Sequence, residues 1–360
     1  MDICTTVPVP DLAEAGDLFA ELEAGGFDAA FTYETKHDPF LPLVLAADRT
    51  TTLRLGTAIA IAFARTPMVL ATIGRDLQDV SSGRCMLGLG TQIRPHIERR
   101  YSMPWSRPAA RLREMVLAIR AIWDAWDGVA PLNFRGEFYT HTLLPPAFDP
   151  GPARFGRPRL VLGAVGPQLT ATAAEVGDGL LVHPFATRES LEQLTLPAVD
   201  RGLSRSGRAR NEFEMVVVTM VATGSTGPEL DAAIATVRGQ LAFYGSTPAY
   251  ARILEGTAWE SLHPRLHALS KEGRWDDMTA LVPDDMVEAI AVVGRREEIA
   301  GLVRAKVGGI ADAVSLECTR RPDPQHFSDI CADLQALEAA DREVALRQAH
   351  DNPVHPSPES

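Results

Sequence analysis

Short apolar or β-branched runs alternate along the chain with longer segments in which apolar residues recur at three- and four-residue spacing. That alternation predicts βα units around a parallel sheet. Eight runs stand out, at 2–7, 29–34, 54–61, 84–91, 159–165, 179–184, 213–222 and 312–318. Between them, helical periodicity covers 12–22, 67–80 and 107–126. Gly25–Gly26 and Ser82–Gly83 close the first two of these helices as stop signals. Eight strands with intervening helices is the count of an α/β fold of the (β/α)8 TIM-barrel type, although a doubly wound sheet has the same local pattern. The count favours the barrel.

Two stretches exceed ordinary connections. Residues 127–158 are rich in proline and read as an irregular excursion over the barrel mouth. Residues 245–285 read as a helical insertion between the seventh strand's helix and the final βαβ segment. The expected organisation is one barrel domain over 1–348 carrying both insertions, followed by a flexible tail, 349–360.

With 46% hydrophobic and 23% charged residues, the 360-residue chain has the composition of a globular protein with a sizeable core. A net charge of −12, with no Lys/Arg run longer than a pair, argues against nucleic acid and anionic membrane as partners. The expected partners are a small-molecule substrate and a second copy of the chain, in a homodimer. Cys4, Cys85, Cys318 and Cys331 lack metal-site spacing and read as reduced thiols. The N-terminus has no signal-peptide pattern, and 55–64, the longest strongly apolar stretch, is about half a membrane span. A soluble, cytoplasmic protein without a metal is expected.

The chain has no phosphate loop, HExxH, GxSxG elbow, Rossmann fingerprint or EF-hand loop. Candidate chemistry therefore lies at strand ends, which in a barrel form the catalytic face. After the fifth run, Gly163, Ala164, Val165 and Gly166 form a turn, and Pro167 suits the first position of a helix. Free amides and the helix dipole there favour an anion, the alternative being an ordinary tight βα turn. In the third run the small residues Gly56, Thr57, Ala58 and Ala60 leave room either for a flat ligand or for a crowded barrel interior. Gly90 and Thr91 end the fourth run, and His183 ends the sixth. At the second, Glu34 and His37 are candidates for proton transfer, while Asp38 and Pro39 suit the cap and first position of the next helix. His263, His267 and His326 are expected to be solvated.

Together these segments resemble the bacterial luciferase-like superfamily, in particular its coenzyme F420 (deazaflavin) dependent oxidoreductases. The resemblance rests on GFDAAFTYE (26–34), RLGTAIAIAFARTPMVLA (54–71), DVSSGRCMLGLGT (79–91), AARLREMVLAIRAIWDAW (109–126) with FRGEFY (134–139), LVLGAVGP (160–167) and AVVGRREEIAGLVRAKVGGI (291–310). It implies a barrel holding F420, or alternatively FMN, at the C-terminal ends of the strands. The phosphate would sit on Gly163–Pro167, and a third-strand bulge with a cis bond at Ala58–Ile59 would lie against the ring. The implied activity is hydride transfer between the deazaflavin C5 and an alcohol, carbonyl or activated C=C, with Glu34 or His37 as acid/base group. The alternatives are an FMN-dependent monooxygenase and a non-catalytic flavin-binding barrel. F420-dependent sugar-phosphate dehydrogenases carry Asp-His after the second strand and Glu after the fourth. Here Glu34-Thr35 and Gln92-Ile93 stand instead, so sugar-phosphate oxidation is not expected.

Overall fold

A computed structural model describes residues 1–318 and 324–351. The strands are β1 (Asp2–Thr6), β2 (Ala29–Thr32), β3 (Arg54–Thr57), β4 (Ala60–Ile61), β5 (Cys85–Gly90), β6 (Phe134–Arg135), β7 (Thr140–His141), β8 (Arg159–Ala164), β9 (Gly179–Val182), β10 (Glu214–Ala222), β11 (Val292–Val293) and β12 (Ala313–Cys318). Parallel pairing runs β1–β2–β3–β5–β8–β9–β10–β12 and returns to β1, closing an eight-stranded barrel among the described residues. Each of the eight apolar runs forms one barrel strand. The periodicity does not reveal the two-residue β11, added to the far end of β10, or the β6–β7 hairpin.

The helices are α1 (Ala15–Ala24), α2 (Leu41–Arg49), α3 (Pro67–Val80), α4 (Pro108–Trp126), α5 (Pro167–Val176), α6 (Arg188–Ser190), α7 (Leu196–Ser206), α8 (Gly227–Ser246), α9 (Leu262–Glu272), α10 (Trp275–Ala280), α11 (Asp284–Ile290), α12 (Arg296–Val307) and α13 (Pro324–Asp351). α3 matches its predicted span because Thr66 caps it and Pro67 fills its first position. The helix expected to open at Pro39 opens instead at Leu41. Asp38 accepts from the Phe40 and Leu41 N–H groups at 2.8 and 3.3 Å, which moves the cap two residues on.

The excursion 127–158 runs over the outer helices, with its hairpin beside the start of α4, where Arg111 donates to the Tyr139 hydroxyl at 2.9 Å. It follows α4, whose end lies beside the strands' N-terminal ends, and it is pinned to the outer helices. Arg75 on α3 donates to the Gly151 and Pro152 carbonyls, and Arg157 pairs with Asp124 and Asp127. Its hairpin tip is held by Glu114 on α4, which accepts from the Glu137, Phe138 and Tyr139 amides. The insertion 245–285 is helical as expected. Its core of Leu254, Leu266, Met278 and Val282 packs with Phe185, Met220 and Ala222, beyond β9 and towards the end of β10. His263 and His267 are not simply solvated, because they donate to the Gly245 and Ser246 carbonyls at the end of α8. His326 is 8% exposed and bonds Ser225. The tail from 352 onward lies outside the described residues. No helix among the described residues is long and apolar enough to cross a membrane. Cys4, Cys85 and Cys331 are buried free thiols, pushed well above their ordinary range by burial.

Candidate active site

Strand alternation decides which side chains face the barrel interior. Cys4, Ala29, Phe31, Met86, Val161, Leu181, Val216 and Ala313 form one interior cluster, with Ala58 and Ile59 packed on it. Two residues further along the same pleats come Thr6, Tyr33, Gly163, His183 and Ser315, and Glu317 follows on β12. These positions lie at the C-terminal ends of the strands, the face from which a barrel works.

The floor of this mouth is a bulge. Gly56 pairs with Met86 and Ala60 with Leu89, so the third run spends four residues where β5 spends three. The extra length sits at Ala58 and Ile59, whose connecting peptide is cis. Ala60 is fully buried beneath it. Ile59 lies across β5 and β8. A Cβ at Gly90 or Gly163 would fall 2.8 or 2.7 Å from its side-chain carbons. These two glycines therefore make room for Ile59, a close approach of side chain to backbone that only glycine allows.

Glu34 clamps the bulge from β2. Its backbone N–H donates to the Ile59 carbonyl at 3.2 Å, and its carboxylate accepts the Ile61 N–H at 2.7 Å. The same carboxylate pairs with Arg65 at 2.7 Å and accepts the Tyr101 hydroxyl at 3.0 Å. Burial works to lower Arg65, but the Glu34 bond and the Glu34 and Asp38 charges hold it above its ordinary range. With both oxygens engaged, the Glu34 side chain is held in place and organises backbone. His37 is exposed on the loop before α2, with no hydrogen bond or ion pair among the described residues.

Residues 163–167 end β8 and open α5. Ala164 and Val165 are half-buried, and Gly166 takes φ 81° and ψ 157°, a conformation that favours glycine. α5 has no side-chain cap and Pro167 has no N–H, so the remaining first-turn amides face outward unpaired among the described residues. A Cβ on Gly166 would meet nothing within 4 Å, so the turn opens on free space. Thr91 is committed elsewhere, its hydroxyl donating to the Gln92 carbonyl at 3.1 Å.

His183 packs against Tyr244 and Tyr250, with ring centroids 4.7 and 4.3 Å away. Its Nδ1 accepts the Phe185 N–H at 3.1 Å, which leaves the proton on Nε2. Burial lowers its pKa to about 3, so the ring stays neutral and acts as a donor at physiological pH. The sequence reading missed Tyr33, Gln240, Tyr244, Tyr250 and Glu317. A carboxylate ending the eighth strand was readable by the argument that selected Glu34. The side chains from α8 and the insertion carry no motif.

A closed βα barrel with an apolar bulged floor beside an uncapped glycine turn offers a surface for a planar group and unpaired amides for an anion. The chain belongs to the luciferase-like monooxygenase family, whose model matches residues 3–313. An uncharacterised protein of Mycobacterium tuberculosis is 52% identical over 303 residues, which cover 84% of this chain and 89% of that protein. Another protein of the same species, provisionally named a coenzyme F420-dependent oxidoreductase, is 30% identical over 295 residues, covering 77% and 83%. The solved coenzyme F420-dependent tetrahydromethanopterin reductase of Methanopyrus kandleri superposes with a TM-score of 0.77 at 18% identity, over 93% of this chain and 98% of that one. That likeness is one of fold.

Proposed function

We propose that the chain is a coenzyme F420-dependent oxidoreductase that moves a hydride between C5 of the deazaflavin and an alcohol/carbonyl pair or an activated C=C. The observation that carries this reading is the pairing of the Ala58–Ile59 floor with the open turn at Gly163–Pro167. A planar ring needs an apolar surface on one face, and a phosphate on its side chain needs unpaired amides close by. The residues present fit both needs. Once bound, the deazaflavin supplies the two-electron carrier.

The protein's part is placement. Ile59 and Ala58 cover one ring face and leave the other to substrate. The α5 amides and the dipole of that helix hold the phosphate. His183 offers an Nε2–H donor at the mouth, and the insertion with Tyr244 and Tyr250 walls off water on that side.

Equilibrium titration of the purified protein with F420 and with FMN, each followed by its own fluorescence, tests the reading. F420 is expected to bind at least tenfold tighter. FMN binding more tightly, with oxygen consumed on turnover, would put an FMN-dependent monooxygenase in its place. Ala58→Leu should lower F420 affinity by more than tenfold, because three added carbons rise from the floor into the ring's space. The extra bulk stands at a half-buried position, so the thermal midpoint should move only a few degrees. Wild-type affinity in that variant would remove the bulge from the site.

A further inference from the structure

We propose that Glu317 is a further catalytic residue, a protonated carboxyl at the barrel mouth that gives its proton to the substrate as hydride arrives and recovers it in the reverse direction. The inference deepens the proposed function and rests on it.

Glu317 is the third residue of an interior pleat, after Ala313 and Ser315 on β12, and pairs in register with Met220 of β10. Other enclosed acidic groups of the barrel contrast with it. Glu34 has Arg65, and Glu214 has Arg54 and Arg159. Glu317 has no ion pair among the described residues. Its hydrogen-bond donor is Gln240 of α8, whose Nε2 lies 3.1 Å from Oε1 and 2.9 Å from the Tyr244 hydroxyl.

The titratable groups that sense its charge are Tyr33 from β2 and Tyr244 from α8, with Tyr250 beyond. All three are phenols held above their usual range, chiefly by burial, and so are neutral. Burial likewise raises Glu317, with the Gln240 bond opposing it in part. A largely enclosed carboxyl with one neutral donor and no cation among the described residues costs stability as an anion. Glu34 is engaged by Arg65, Ile61 and Tyr101 and organises backbone, whereas Glu317 is left as the proton carrier.

For a carbonyl substrate, a bound reduced deazaflavin would supply the hydride to carbon. The C=O π pair would move to oxygen, and that oxygen would take the Glu317 proton, leaving the Glu317 carboxylate for solvent to reprotonate after release. Alcohol oxidation runs the same steps backwards.

Glu317→Gln keeps the shape and the bond from Gln240 while removing the proton. The first readout is the unfolding midpoint of the cofactor-free protein against pH. A carboxyl with a raised folded pKa contributes stability below its unfolded pKa and loses it as pH rises through the folded one. The variant should therefore gain on wild type with rising pH, starting at the ordinary carboxylate pKa and levelling off above the raised one. Gln240→Leu, which removes the opposing bond, should shift that loss to higher pH.

The second readout is single-turnover hydride transfer. Glu317→Gln should slow it by about 10²-fold or more, with F420 affinity within a few-fold of wild type. Parallel stability curves for wild type and both variants would overturn the proposal whatever the cofactor, as would a variant with wild-type transfer rates. Failure of wild type to bind F420 in the titration above is a separate result that removes the proposed function.

Discussion

Gly166→Asp is expected to weaken F420 binding by well over tenfold, more than roughly 1.4 kcal/mol, while the barrel stays folded. Two effects act together. The added carboxylate stands where a phosphate would meet the amides of α5, and like charges there repel in a space that holds no cap. The backbone at φ 81° also penalises any side chain, so the turn itself relaxes away from its anion-binding shape. Because a Cβ at this position meets no neighbour within 4 Å, packing is undisturbed and loss of fold does not confuse the result. Gly166→Ala separates the two contributions, since it carries the backbone penalty without the charge. Isothermal titration with F420 measures both variants, and an unchanged dissociation constant for Gly166→Asp would take the turn out of the site.

Glu34→Gln is expected to lower stability and F420 affinity together. Removing one partner of a mostly buried pair leaves Arg65 undercompensated, which elsewhere costs about 3–5 kcal/mol. Here Asp38 remains 3.1 Å from Arg65, so a smaller loss of about 2–3 kcal/mol is expected. The amide also presents an N–H where Ile61 or Arg65 donates, and this loosens the bulge that carries Ile59. Chemical denaturation and cofactor titration on the same preparation check the expectation. If stability and affinity are kept while turnover falls about 10²-fold, Glu34 is the proton-transfer group instead.

The barrel was legible because its strands are short apolar runs, continuous where both faces are covered, set apart by helices with their own caps. Local chemistry also fixed α3, through Thr66 and Pro67. What periodicity did not fix was decided by side chains reaching back along the chain. Asp38 bonds Phe40 and Leu41 and so delays α2, and an αβ link such as 127–158 must return to the strands' N-terminal side whatever its proline content.

The site divides the same way. The small residues at 58, 60, 90, 163 and 166 were readable as places where something comes close. That Gly90 and Gly163 yield to Ile59 is visible only in three dimensions. Glu34 looked like a free carboxylate because its cation lies 31 residues on, and Glu317 escaped notice because its partner Gln240 is 77 residues away.

The central claim is that Ile59 and the Gly163–Pro167 turn together hold one cofactor, with the Glu317 side of the mouth open to its reactive face. A crystal structure of the protein grown with F420 tests this most directly. The account predicts the central ring of the deazaflavin against Ala58 and Ile59, its phosphate within hydrogen-bond distance of the first-turn amides of α5, and C5 facing the side of the mouth where His183 and Glu317 stand. A ring bound away from the third-strand bulge, or a phosphate held elsewhere than on α5, would contradict it.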